Sequence, residues 1–188
     1  MDPLRGPESL PSAGVECVAE PGAQQRDIDT DDSPEFPWGH TPGEEVTVYF
    51  ETGELPARYA QMVETGASTW SRSPCINALA VDRCPGESNC TRVLVEERGD
   101  DRDTDGESTG VQRDGVRVAN TITLYTELLD EASDNGALAT VIHEMGHALG
   151  LVHRNDSTSL MNAETDDDTS PMPDETDFAN LLVIYGQQ

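Results

Sequence analysis

"HEMGHALGLVH", residues 143–153, holds three of the four histidines in a chain of 188 residues. His143 and His147 stand four apart in a stretch that reads as helix, so both imidazoles leave one face, one turn apart. Two neutral imidazoles so placed form a bidentate clamp for zinc. Glu144 projects beside the clamp, near enough to reach a water on the metal without being a ligand. A catalytic zinc has three protein ligands and an open fourth position. Gly150 provides for the third, because glycine takes positive φ, ends the helix and swings the chain back, bringing His153 round to the metal. A shuffled chain shows this pattern with probability on the order of 10⁻⁵, so chance is set aside.

Working outward, "SDNGALATVIHEMGHALG" (133–150) predicts a helix with Ser133 or Asp134 as cap and Leu138, Val141, Ile142, Met145 and Leu149 as its core stripe. Upstream, "EEVTVYF" (44–50) alternates as a strand. "LPARYAQMVETGASTW" (55–70) reads as a helix starting at Pro56, with Leu55, Tyr59, Met62, Gly66 and Trp70 on its buried face. Strands are expected near 77–82 and 91–98, then an acidic loop "GDDRDTDGESTG" (99–110), then strands near 115–119 and 121–125. "PDETDFANLLVIYG" (173–186) is a closing helix capped by Gly186. This order predicts an α+β domain over 44–188, a sheet covered by two main helices. Residues 1–43 have no apolar periodicity and read as an acidic extended arm, linker or pro-segment. Phe36 and Trp38 are its candidate anchors, and His40 is an arm or surface residue.

Asp and Glu number 37 against 11 basic residues, all of them Arg, for a net charge of −26. Nucleic acid and anionic membrane are poor partners for such a surface. The acids run through the whole chain rather than forming one tail, which points to adaptation to high salt. No apolar run approaches the roughly 18 residues that span a bilayer, and residues 1–16 do not read as a signal peptide. Cys17, Cys75, Cys84 and Cys90 lack the spacing of a zinc ribbon and suit disulfides in an oxidising compartment. Three pairings are open. The Pro-Gly loop "CPGESNC" favours Cys84 with Cys90, leaving Cys17 to pin the arm to Cys75; free thiols are the alternative. "NCT" at Asn89 and "NDS" at Asn155 fit the glycosylation pattern.

The long histidine motif resembles that of the metzincin zinc endopeptidases in every fixed position. Met161, in "SLM" eight residues after His153, resembles their methionine turn, at a spacing similar to the matrixin branch. The closing "TDFANLLVIYG" is similar to the last matrixin helix, and the early strand and helix also resemble the small snapalysins. The resemblance covers about residues 44–186. It implies a zincin-like fold: a twisted, mostly parallel sheet with an antiparallel edge strand, two main helices and a short C-terminal helix. It further implies a secreted or cell-surface zinc endopeptidase, a monomer acting on protein or peptide, with His143, His147 and His153 on zinc and Glu144 as general base. Met161 packs beneath the metal, and substrate adds as a strand along "GVRVA" (115–119). Matrixins hold calcium in the loop where Asp101, Asp103 and Asp105 fall, a DxDxDG pattern whose twelfth position is Gln112 rather than Glu. No cysteine-switch motif is present, and "MNAE" departs from the usual wall after the turn. The alternatives are a latent enzyme whose arm fills the cleft, or a non-catalytic zinc-binding module.

Overall fold

Val46, Val48 and Phe50 alternate inward and build β1 (Val46–Glu51) in the interior of a sheet. In the computed structural model, which describes residues 16–98 and 104–188, β1 leads into α1 (Ala57–Trp70) and back to β2 (Ile76–Val81) parallel to β1. β3 (Cys90–Glu96) pairs with the other side of β1, and β5 (Val116–Tyr125) with β3, both parallel. β4 (Gly106–Arg113) is antiparallel to β5, giving the order β2-β1-β3-β5-β4. A short α2 (Thr126–Leu129) leads to α3 (Asp134–Ala148), and α4 (Glu175–Tyr185) closes the chain.

Two expectations are corrected here. The last five residues of the acidic loop expected at 99–110, from Gly106 on, belong to strand β4. The two strands expected at 115–119 and 121–125 are one, because Asn120 is buried and bonded to Arg117 and Ser108 rather than breaking the strand. "GVRVA" is therefore the start of β5, with Trp38 of the arm bridged to Arg117 on one side and β4 on the other, and the sheet edge beyond β5 belongs to β4. The turn between them is Asp114-Gly115, both at positive φ, as a two-residue hairpin requires.

α1 buries Tyr59, Met62, Val63 and Trp70, and the Trp70 indole N–H donates to the Ile142 carbonyl of α3 at 3.0 Å. That bond fixes α1 against the middle of α3. Nearly every residue of α3 from Gly136 is buried, Leu138 only partly. α4 starts in a capping box between Asp174 and Asp177. Gly186 ends it at φ −72°, not in the left-handed region expected of a glycine cap.

The arm is stitched to this body. Disulfides join Cys17 to Cys75 and Cys84 to Cys90. Single bridges pair Val18 with Gln187, Ile28 with Arg154 and Trp38 with Arg117. Trp38 is fully buried, whereas Phe36 is half-buried. Among the described residues no helix is long and apolar enough to cross a membrane.

Candidate metal centre

α3 carries His143, Glu144 and His147, and its C-terminal end is held from three sides. The last carbonyls of a helix have no partner within it. Here Arg117 donates to the His147 carbonyl at 3.0 Å, the Trp38 indole to Ala148 at 2.8 Å, and the Tyr185 hydroxyl to Leu149 at 2.8 Å. The arm, β5 and α4 thus each fix the turn that bears His147. Beyond it, Gly150 takes φ +97°, a conformation only glycine adopts without strain, and the chain doubles back. The Leu151 amide bonds to the Gly146 carbonyl at 3.1 Å, and two residues later His153 faces the other two histidines.

The three rings converge. Nε2 of His147 lies 3.0 Å from that of His143 and 3.1 Å from that of His153. Each Nδ1 has an acceptor: the Leu160 carbonyl at 2.7 Å for His143, the Leu151 carbonyl at 2.8 Å for His147, and the Asp32 carboxylate at 3.0 Å for His153. These oxygens only accept, so the proton sits on Nδ1 and each Nε2 presents a bare lone pair. Three lone pairs at such distances repel one another unless a cation lies between them. Burial holds the His143 pKa down to about 4 and lowers that of His147 as well, keeping both neutral. The donor set therefore fits zinc, with each ring oriented from behind.

Beneath the rings, residues 154–162 form a loop. Met161 is fully buried, and its sulfur lies against Gly146, where an added β-carbon would stand 2.5 Å from it. The Arg154 amide donates to the Met161 carbonyl at 2.7 Å, which closes the loop. The same turn supplies the Leu160 carbonyl that orients His143.

Glu144 opens onto a cleft of about 460 Å³ with the three histidines, Gly106 and Glu35. It is 5 % exposed, and among the described residues its Oε2 has no hydrogen-bond partner. Burial, followed by the charges of Asp105, Glu107 and Glu35, pushes its pKa up to about 8. A buried carboxyl oxygen without a partner is costly, and a water or substrate N–H in the cleft would satisfy it.

Of the candidate calcium residues, Asp101 and Asp103 lie outside the described residues. Asp105 accepts from the Thr140 hydroxyl of α3 at 2.6 Å. His40 is remote from the metal centre, bonded through Nδ1 to the Trp38 carbonyl and edge-on to Tyr185. Sequence reasoning missed Leu160, Asp32 and Gly106. The first acts through its main chain, the second comes from the arm, and the third lies in what was read as loop.

The matrixin family model (peptidase M10) matches residues 64–186, more than half of the chain. No curated protein matches in sequence. Among solved structures, archaemetzincin from Methanopyrus kandleri is similar over 75 % of this chain and 94 % of its own, with TM-score 0.50 and 13 % identity. Metalloproteinase-II from Bacteroides fragilis is similar over 82 % of this chain and 57 % of its own, with TM-score 0.49 and 17 % identity. The archaemetzincin likeness carries the fold, an α+β zincin-like architecture, and the family match carries more: the chain belongs to the matrixin family of zinc metalloendopeptidases.

Proposed function

We propose that this chain hydrolyses internal peptide bonds of protein substrates, with His143, His147 and His153 holding zinc and Glu144 as general base. The observation that carries the reading is the buried Oε2 of Glu144, unpartnered among the described residues, beside three converging Nε2 lone pairs. When bound, zinc supplies Lewis acidity, acidifying a water and polarising the scissile carbonyl. Glu144 removes a proton from the attacking water and delivers it to the nitrogen of the leaving amine as the C–N bond breaks. Gly106, Glu107 and Ser108 of the edge strand β4 line the cleft, so an extended peptide pairing with β4 lies across the site.

A non-catalytic zinc module is the weaker reading. A purely structural site closes with a fourth protein ligand, whereas among the described residues the cluster within 4.8 Å holds three histidines alone. Two disulfides support a secreted or cell-surface setting.

Digestion of casein in molar salt with zinc present, wild type beside Glu144→Ala with bound zinc quantified, tests the reading. Cleavage by wild type, lost in the variant while zinc stays bound, is the expected result. Zinc bound by an inactive wild type would favour the module or a latent enzyme.

A further inference from the structure

The arm passes directly behind the third histidine. Asp32 Oδ2 accepts from His153 Nδ1 at 3.0 Å and from the His153 backbone amide at 3.2 Å. On the other side, the Asp29 amide donates to the His153 carbonyl at 2.8 Å. Both main-chain groups of this residue and its ring are thus held by residues 29–32.

The three histidines differ in what they need. His143 and His147 ride on α3, and main-chain carbonyls fix their rings. His153 follows the end of that helix, and its side chain is 26 % exposed. Its orienting partner is a carboxylate, from a segment outside the family match at 64–186. A carboxylate bonded to Nδ1 stands behind the ring, away from the converging Nε2 atoms, and Asp32 is not in the cluster of candidate ligands. A blocking pro-segment would place its acid among those atoms. The arm is also anchored on both flanks, by Asp27 to Arg154 at 3.1 Å and by Glu35 to Arg117.

We propose that Asp32 is a positioning residue for His153, and that residues 27–35 are a permanent part of the metal centre rather than a removable pro-segment. The proposal rests on the reading of the three histidines as zinc ligands. Charge on Asp32 makes His153 a stronger donor through Nε2, and the two-point grip removes the ring freedom that zinc would otherwise have to freeze.

The test is zinc affinity, measured by competition with a chromogenic chelator, for wild type, Asp32→Ala, Asp32→Asn and Glu64→Gln. Imidazole N–H proton resonances of the zinc-loaded proteins are recorded alongside. Asp32→Ala should weaken zinc by about 10- to 100-fold. Asp32→Asn, which keeps the shape and an acceptor and guards against loss of folding, should weaken it less. Glu64→Gln removes one negative charge from an exposed position on α1, outside the segment behind His153, and should bind as wild type does. In both Asp32 variants the His153 Nδ1 proton signal should shift or vanish while those of His143 and His147 stay. Unchanged zinc affinity in both Asp32 variants overturns the proposal. So does joint loss of all three signals with a lower melting point of the metal-free protein, which would mark Asp32 as a folding residue. A wild type that binds no zinc would instead overturn the ligand reading itself.

Discussion

Gly106 of the edge strand lies against Glu144 of α3: a β-carbon there would stand 3.0 Å from Glu144 Cγ and 3.1 Å from Thr140 Cγ2. Gly106→Ala must therefore displace Glu144, the strand or both by a few tenths of an ångström. On the proposed mechanism, a base moved off line costs rate without removing the metal. Catalytic efficiency on a peptide should fall by roughly tenfold or more, with one zinc still bound. Equal loss of zinc and activity would refute this account.

Arg154 is 5 % exposed and meets Asp174 at 2.8 Å and Asp177 at 2.9 Å, the latter fully buried. Removing one partner of a buried ion pair strands the other charge. Arg154→Ala should destabilise the fold by about 3–5 kcal/mol. Arg154→Ala with Asp177→Asn should recover part of that loss. Urea denaturation of wild type, the two single variants and the double variant measures the coupling, and additive losses would show that the pair does not act as a unit.

The alkaline limb of stability should belong to tyrosine. Burial first, then the hydrogen bond to Asp130, pushes the Tyr59 pKa up to about 12, and burial raises that of Tyr185 as well. A group whose pKa is raised on folding contributes stability that is fully present below its unfolded value and lost as pH rises through the folded one. For Tyr59 the unfolded value is near 10, so stability should decline from about pH 10 to 12. Tyr59→Phe should be less stable at neutral pH and flatter across that window. Denaturant midpoints read against tyrosinate absorbance decide it.

Self-repulsion at −26 is screened by salt. The melting temperature should rise between 0.1 M and 3 M sodium chloride. A midpoint that does not move across that range would remove the case for high-salt adaptation.

The fold was legible where burial writes a period. β1 and α1 declare themselves through alternating valines and a helical stripe ending at Trp70. β4 did not, because only Gly106 of its eight residues is buried, and pairing with β5 rather than apolar burial holds it. Its one local signal was Asp114-Gly115, a hairpin dipeptide overlooked beside so many acids. In the site, the motif spacing brought the three histidines and Glu144 to notice. Asp32 and the Leu160 carbonyl left no trace, since one is an acid among 37 and the other is main chain. Contacts between parts distant in sequence, such as Glu35 with Arg117, carry no local pattern at all.

The bond between Cys17 and Cys75 turns the chain between them into a closed ring. Asp27, Asp32 and Glu35 all lie within it. A protease in solution is its own nearest substrate, and an arm exposed on a surface is a natural place to be nicked. A single cut inside a ring opens it without releasing either piece, so the severed strand remains tethered beside His153 at high local concentration. Self-digested enzyme would then run as fragments on a reducing gel, run as one band without reductant, and keep working until the disulfide is reduced.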